Sequence, residues 1–224
     1  MSDDDRPGTT DALDAQRSHW SETFTRRPDF LGADASDIAR QALERFRAAG
    51  VVDLLELGAG QGRDTLLFAG AGLAVTAADY AAPGLERIVG RAAEVGLAGR
   101  LTTFVTDVRQ PLPFDDGAFD AAYAHMLFCM ALTTAELEAL AGEVRRVLRP
   151  GGLLVYTVRT TTDAHFGAGV DHGDDMYEMG GFIVHFFDRA LVERLAVGFR
   201  LIDVSEAEEG KLPRRLFVVT QARS

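Results

Sequence analysis

From residue 51 onward, short apolar runs alternate with segments whose apolar residues recur at helical spacing. The segments with helical spacing predict helices at residues 63–69, 84–95 and 133–148, and Thr133 with Glu136 forms a capping box for the last helix. Alternation of this kind predicts a parallel sheet with helices on both faces. The apolar runs that predict its strands are 51–57, 73–79, 101–106, 119–124 and 153–158.

The end of the chain has a different order of elements. A helix is predicted from Phe187-Asp188 to about Ala196, and two strands follow at residues 199–205 and 214–221. A charged turn at residues 206–213 joins the two strands, so they predict an antiparallel hairpin at the sheet edge. The expected fold class is therefore α/β, a three-layer sandwich with a mostly parallel seven-stranded sheet that ends in an antiparallel hairpin.

The first fifty residues precede this alternation. Residues 1–11 are acidic and polar and predict a disordered tail. Residues 12–27 predict one helix, and Ser36 and Gly50 bound a second one. We therefore expect a single domain over residues 12–224, with residues 12–50 as a helical cap.

Composition and charge narrow the class of protein. The chain has 224 residues, of which 47% are hydrophobic, and its net charge is −11. It has no apolar run of the ~20 residues that span a bilayer, and its acidic start lacks the basic and apolar regions of a signal peptide. Its lone Cys129 fits a reducing compartment. These features predict a cytoplasmic protein that binds neither membranes nor nucleic acid, and they leave both a monomer and a homodimer open.

A glycine-rich turn follows the first predicted strand. Gly58, Gly60 and Gly62 lie between an apolar run and a predicted helix, which is typical of a loop that binds a nucleotide-like ligand. The third glycine comes one residue earlier than in the dinucleotide fingerprint. Glu56 is unusual inside a buried strand, and it needs either loop amides or a ligand's ammonium as a partner.

The run Glu56-Leu57-Gly58-Ala59-Gly60-Gln61-Gly62 resembles the first motif of the class I S-adenosylmethionine (SAM)-dependent methyltransferases. The resemblance extends over roughly residues 51–157. The shorter run Gly62-Arg63-Asp64-Thr65 resembles the thiopurine and tellurite methyltransferase branch. The resemblance implies SAM as cofactor, held by a loop whose candidate residues are Glu56, Gly58, Ala59, Gly60, Gly62, Arg63 and Asp64.

The same resemblance assigns roles at the ends of later strands. It implies that Asp79, followed by Tyr80, binds the ribose of SAM; a cap of the next helix is the alternative role of Asp79. It implies that Asp107 and Val108 bind adenine; a turn residue is the alternative role of Asp107. The N-terminal helices of the family often cover the cofactor as a lid, so Trp20 and Phe30 are candidate contacts or, alternatively, core residues.

His125 and Met126 follow the fourth predicted strand, where cofactor and acceptor are expected to meet. His125 is a candidate general base or a structural hydrogen-bonding group, and Met126 is a candidate lining residue. The Asp/Asn-Pro-Pro-Tyr/Phe motif is missing from this position, which counts against methylation of amino groups on nucleic-acid bases.

The segment 159–187 is long for a connection and is expected to form the acceptor side of the site. Its candidate catalytic residues are His172, His185 and Arg159, and Arg159 would either hold an acidic acceptor or form a salt bridge within the loop. Zinc or iron bound by His165, His172, Asp174 and His185 is the rival interpretation, but the spacing matches no tight ligand motif, so no metal is predicted.

These patterns lead to a functional expectation. We expect a SAM-dependent methyltransferase that acts on a thiol or other chalcogen, or on an oxygen or nitrogen atom, of a small molecule. A nicotinamide-dependent oxidoreductase is an alternative, which the position of Gly62 and the missing Tyr-x-x-x-Lys pair disfavour. A SAM-binding module without catalytic turnover is another.

Overall fold

The computed structural model describes residues 9–27, 29–210 and 214–224. Residues 1–8 of the predicted tail lie outside the described residues, whereas residues 9–11 belong to the first helix. The helices are α1 (Thr9–Arg26), α2 (Asp37–Ala48), α3 (Arg63–Gly70), α4 (Ala82–Glu94), α5 (Thr134–Val147) and α6 (Arg189–Arg194), with a 3-10 turn at Ala98–Arg100. The strands are β1 (Asp53–Leu57), β2 (Ala74–Asp79), β3 (Leu101–Val105), β4 (Phe119–His125), β5 (Leu148–Arg159), β6 (Val170–Gly173), β7 (Met176–Met179), β8 (Phe182–His185), β9 (Phe199–Glu209) and β10 (Arg214–Arg223).

Seven strands form one sheet in the order β3-β2-β1-β4-β5-β10-β9. The first five strands run parallel, and β10 pairs antiparallel with both β5 and β9. The predicted fold class is therefore confirmed. The order reverses at β1, whose two neighbours are β2 and β4, and such a reversal opens a crevice at the carboxyl ends of the strands.

Both faces of the central strands are buried. Leu55 and Leu57 of β1 belong to one apolar cluster and Leu54 to another, because successive side chains of a strand point to opposite faces. Tyr123 of β4 and Tyr156 of β5 also lie in different clusters, because Tyr156 pairs with Ala124, the residue after Tyr123. This two-sided burial explains why these strands read as near-continuous apolar runs in the sequence.

Helix starts agree with the local sequence. The Thr133 side chain accepts a hydrogen bond from the Glu136 backbone, and the Glu136 side chain accepts one from Thr133 N, so the predicted capping box is present. Ser36 caps α2 by accepting from Ala39 N. Helix α4 begins at Ala82, earlier than predicted, because Pro83 lies in the first turn, where its missing N–H costs nothing.

The segment 159–187 contains a second, smaller sheet where the sequence predicts a long loop. Strands β6, β7 and β8 form an antiparallel meander with two-residue turns at Asp174-Asp175 and Gly180-Gly181. All four turn residues have positive φ, as a type I′ turn requires. The Gly-Gly pair between two short apolar runs is the signal that could have revealed this hairpin.

The small sheet is attached to the first helix. The Gln16 side chain on α1 donates to Gly181 O over 2.9 Å and accepts from Ile183 N over 3.2 Å. The first helix therefore packs beside β8 rather than lying free. None of the described helices combines the length and hydropathy needed to cross a membrane.

Candidate cofactor and acceptor site

A cavity of ≈630 Å³ lies beside the glycine loop, at the carboxyl ends of the central strands. Its volume falls within the roughly 300–1,000 Å³ typical of small-molecule sites. Many of the residues singled out in the sequence line it: Trp20, Phe30, Glu56, Gly58, Ala59, Gly60, Arg63, Asp64, Asp79, Tyr80, His125, Met126 and Arg159.

The glycine loop joins β1 to α3 and turns its backbone toward the cavity. Gly62 has φ +79 and precedes the first residue of α3, and a Cβ added there would lie 2.4 Å from Ile88 Cγ1. Gly62 thus faces helix α4 and is not among the residues that line the cavity, and both its positive φ and the close approach of Ile88 require glycine. The amides of Gly58 and Ala59 are already hydrogen-bonded to Ala78 O.

Asp79 connects the loop to the next helix. Its Oδ2 accepts from Gly60 N and its Oδ1 from Ala81 N, both over 2.8 Å, and Ala81 is the residue before α4. Burial raises the pKa of the carboxyl above its ordinary value, against the lowering effect of these amides. Asp79 therefore makes the contact at the start of α4 that the sequence offers as the alternative to ribose binding. It lines the cavity as well, so the two roles are compatible.

Glu56 lies on the cavity wall with an unsatisfied oxygen. The residue is only 3% exposed, and its Oε2 has no hydrogen-bond partner within the described part of the chain. Burial, and after it the negative charge of Asp64, holds the pKa of the Glu56 carboxyl well above its ordinary value. A buried carboxyl of this kind is costly unless a partner arrives, and an ammonium group is the partner that stabilises its charged form.

Asp64 and Arg63 begin helix α3 but make different contacts. Both Asp64 oxygens accept hydrogen bonds from Ser36, over 2.8 and 3.0 Å, and Oδ2 also accepts from the Tyr123 hydroxyl over 3.1 Å. Arg63 donates to Leu31 O and to Glu209, each over 3.0 Å. These side chains therefore fasten the elements around the cavity, in addition to lining it.

Asp107 and Val108 lie beside the main cavity. They line a small pocket of ≈30 Å³ that shares Tyr80, Leu127 and Met130 with the larger one. Burial raises the pKa of Asp107, but hydrogen bonds from Arg109 outweigh it and leave the pKa below its ordinary value. The Asp107 carboxylate is thus already engaged by Arg109.

Aromatic rings from two parts of the chain cover the cavity. The ring centroids of Trp20 and Phe182 are 4.7 Å apart, and Phe30 stacks on Phe182 with centroids 5.8 Å apart. Phe24 packs against Trp20 with centroids 5.3 Å apart. We call Trp20, Phe24, Phe30 and Phe182 the aromatic roof. Phe182 was not singled out in the sequence, because its contact with α1 depends on the small sheet.

His125, at the end of β4, has partners at both ring nitrogens. Nδ1 lies 2.9 Å from Thr157 Oγ1, and Nε2 lies 3.4 Å from Glu209 Oε1. The hydrogen bond from His125 lowers the pKa of Glu209 to about 2, against the effect of burial. Sequence interpretation missed Glu209 because it placed residues 206–213 in a turn, whereas β9 extends to this residue.

Met126 follows His125 and has a φ of 62, which is uncommon for a residue with a side chain. Its amide donates to Thr157 Oγ1 over 2.9 Å, and this bond holds the turn at the end of β4. Strained backbone of this kind clusters at functional sites.

Arg159 forms a salt bridge within the segment 159–187, which is the alternative that the sequence offers to binding an acidic acceptor. It donates from Nε and Nη2 to the two oxygens of Asp163, over 3.2 and 2.5 Å. The Asp163 side chain is fully buried. Arg159 also lies 2.7 Å from His165 Nδ1, and His165 lines the cavity although it was considered only as a metal ligand.

The structure does not bring His172 or His185 to the cavity, which corrects their selection as catalytic candidates. His172 Nε2 lies 3.0 Å from Glu178 on the neighbouring strand of the small sheet. His185 is buried, with Nδ1 2.7 Å from Leu132 O. Asp174, another candidate of the metal interpretation, bonds to Thr134. Across residues 9–27, 29–210 and 214–224, no group of three or more His, Cys, Asp or Glu side chains is arranged to hold a metal ion.

Comparisons with known proteins agree with this geometry. Residues 54–152 match the family model described as a methyltransferase domain. A sterol 24-C-methyltransferase from Gibberella zeae is 28% identical over 90% of this chain, and the chain spans about half of that relative's length, 55%.

Solved structures share the fold at low identity. The 1,6-didemethyltoxoflavin-N1-methyltransferase of Burkholderia thailandensis, crystallised with its acceptor and S-adenosylhomocysteine (SAH), superposes with a TM-score of 0.75 at 21% identity, covering 100% of this chain and 93% of that one. The [4+2]-cyclase SpnF gives a TM-score of 0.72 at 19% identity, covering 95% and 96%.

The family match begins in β1 and includes the glycine loop. This stretch is similar to the methyltransferase domain family, and the chain shares the fold of solved methyltransferases, one of them crystallised with SAH.

Proposed function

We propose that this chain transfers a methyl group from SAM to a small-molecule acceptor bound beneath the aromatic roof. The observation that carries the proposal is the single continuous cavity that joins the glycine loop to the second sheet. Such a cavity has room for a cofactor at one end and an acceptor at the other. The site of methylation on the acceptor is a sulfur or other chalcogen, an oxygen or a nitrogen.

The residues of the loop end fit SAM. The unsatisfied Glu56 oxygen matches the ammonium of the cofactor's amino-acid part, and Asp79, one strand away, matches the ribose hydroxyls. Gly58, Ala59 and Gly60 present backbone to the same space, and Tyr80 lies beside the small pocket of Asp107 and Val108. When bound, SAM supplies an electrophilic methyl group on a sulfonium.

The protein's own part in the reaction is orientation and exclusion of water. The aromatic roof and the apolar side chains of Met130, Met179 and Val184 surround the other end of the cavity. They would hold a largely apolar acceptor in line with the methyl group. Both ring nitrogens of His125 already have partners, Thr157 and Glu209. His125 would therefore hold the proton-bearing atom of the acceptor only by exchanging one of these two hydrogen bonds for one to the acceptor.

Calorimetric titration with SAM tests the cofactor half of the proposal. We expect saturable binding by the wild type and weaker binding by Asp79→Asn, which keeps one acceptor oxygen for the loop amides. The absence of binding at millimolar SAM would reject the proposal.

A screen for SAH release with thiols, phenols, amines and carboxylates tests the acceptor half. The [4+2]-cyclase SpnF shares the fold, so the fold by itself does not establish methyl transfer. Binding of SAM without a methylated product from any acceptor would favour the non-catalytic module. Cytoplasmic location and oligomeric state stay predictions from the sequence.

A further inference from the structure

His165 is a cavity residue for which the mechanism above gives no role. It lies in the segment between β5 and β6, with its side chain 32% exposed. Its Nδ1 has two neighbours, Arg159 Nη2 at 2.7 Å and Asp163 Oδ1 at 3.2 Å. One ring nitrogen cannot accept from the first and donate to the second at the same time, so the two contacts imply different tautomers.

The chemistry of Arg159 decides between these tautomers. A guanidinium is always charged and only donates, so a nitrogen 2.7 Å from Nη2 must be an acceptor without a proton. Asp163 Oδ1 already accepts from Arg159 Nη2 at 2.5 Å and from His165 N at 2.8 Å. The shorter contact and the engaged oxygen both place the proton of neutral His165 on Nε2.

The Arg159–Asp163 pair is itself rigidly held. Asp163 accepts a further hydrogen bond from Arg215 N at the start of β10, over 2.8 Å, and the Arg159 side chain is only 7% exposed. Because Arg159 cannot move away without leaving a buried carboxylate unpaired, it keeps His165 in one tautomer. The Nε2–H has no hydrogen-bond partner among the described residues, and it belongs to a side chain that lines the cavity.

We propose that His165 is a specificity-determining hydrogen-bond donor of the acceptor site, and that the methyl acceptor presents a carbonyl oxygen, an oxyanion or a ring-nitrogen lone pair to its Nε2–H. This inference rests on the proposed function for the identity of the cavity. It adds that an acceptor without such a lone pair binds poorly, since the donor would then lose its hydrogen bond to water.

Nitrogen-15 NMR of the histidine side chains in the SAH-saturated protein tests the tautomer without an acceptor. We expect the His165 signals of a neutral ring with its proton on Nε2, assigned by their loss in His165→Gln. A proton on Nδ1 would overturn the inference. Failure of SAH to bind would instead reject the proposed function. The two failures are distinguishable, because the tautomer of His165 is also measurable in the protein without SAH.

Two probes with the same fused ring skeleton test the donor role. 1-Indanone carries a carbonyl that indane lacks, and one hydrogen bond is worth roughly a two- to twelvefold difference in Kd between them in the wild type. His165→Phe should abolish this preference, and His165→Gln should retain it, since its amide nitrogen lies near the position of imidazole Nε2. His172→Phe, outside the cavity, should behave as the wild type. Equal or undetectable binding of both probes by the wild type, or an unchanged preference in His165→Phe, would overturn the inference.

Discussion

Arg63 Nη2 donates a hydrogen bond to Glu209 Oε1 over 3.0 Å, although 146 positions separate the two residues in sequence. The contact joins the start of α3 to the end of β9, and Arg63 also holds Leu31 O in the connection between α1 and α2. Three parts of the chain that border the cavity are thus tied to one guanidinium. Since hydrogen bonds to charged groups are stronger than neutral ones, this residue pair helps to hold these three parts in place around the cavity.

The Glu209 carboxyl makes the free energy of unfolding depend on pH. Its pKa is lowered from 4.5 to about 2, so its stabilising contribution is complete above pH 4.5 and is lost as the pH falls toward 2. The shift corresponds to at most about 3 kcal/mol, and we expect Glu209→Gln to lower the free energy of unfolding at pH 7 by up to that amount. Urea unfolding between pH 2.5 and 7 measures the difference from the wild type, which should shrink in acid.

Glu208→Gln is the matched control for this experiment. The Glu208 side chain is 61% exposed, and its contact with Arg215 is 3.7 Å long. Exposed pairs of this kind contribute little, so the control should remain within about 0.5 kcal/mol of the wild type. A wild-type advantage over Glu209→Gln that stays constant across the pH range would contradict the assignment.

Gly84→Ala should displace the glycine loop through a steric clash with helix α4. A Cβ on Gly84 would lie 2.2 Å from the backbone oxygen of Gly60, so the loop or helix α4 must shift. We expect a loss of about 1–3 kcal/mol in stability, the usual cost of overpacking, together with weaker SAM binding. Thermal unfolding and calorimetry measure the two effects.

Gly90→Ala tests the same substitution in the same helix without the contact. Nothing lies within 4 Å of a Cβ at Gly90, and the position is exposed. Alanine in a helix interior is favoured over glycine by roughly 0.5–1 kcal/mol, so this variant should be slightly more stable than the wild type. If both variants lost stability alike, the close approach of Gly84 to Gly60 would not be the cause.

Glu56 should release a proton when SAM binds. Its raised pKa means that a neutral carboxyl persists above pH 4.5, up to the folded-state pKa, and a neighbouring ammonium favours the charged form. Within that window, the enthalpy of SAM binding should vary with the ionisation enthalpy of the buffer. Calorimetry in several buffers, over a pH series that begins just above 4.5, measures the released protons.

Glu56→Gln tests whether Glu56 is the source of the proton. In this variant the enthalpy of SAM binding should no longer depend on the buffer. Glu86→Gln, an exposed position on α4, is the control and should leave it unchanged. A wild-type binding enthalpy that is the same in all buffers throughout the series would show that Glu56 does not take part.

Gln16→Ala should loosen the attachment of the small sheet to α1. The substitution removes both hydrogen bonds and leaves Ile183 N, on a residue 1% exposed, without its partner. The cost of an unsatisfied buried amide is about 1–3 kcal/mol. Hydrogen exchange at residues 181–185 should become faster, whereas Gln41→Ala on the exposed side of α2 should not change it. Unaltered exchange in Gln16→Ala would refute the attachment.

Much of this architecture could be predicted from the sequence, because its central strands are buried on both faces. Leu54 and Leu55 belong to opposite clusters, and that arrangement produces an uninterrupted apolar run followed by the glycine loop. Local rules likewise identified the Thr133–Glu136 capping box, since both partners lie within one turn.

The remaining features depend on contacts that no local pattern encodes. Strand β6 is mostly exposed and only four residues long, so it has no readable alternation. Glu209 becomes a site residue only through Arg63 and His125, which lie far away in sequence. The fully buried environment of Asp163 was likewise invisible, and with it the orientation of His165.

The two ends of the cavity are built from separate stretches of the chain. Under the proposed function, the cofactor end comes mainly from β1, β2 and the turns that follow them, whereas the acceptor end draws on Met179, Phe182 and Val184 and on the first helix. Substitutions in the small sheet and in the first helix would therefore alter the choice of acceptor while leaving the glycine loop unchanged.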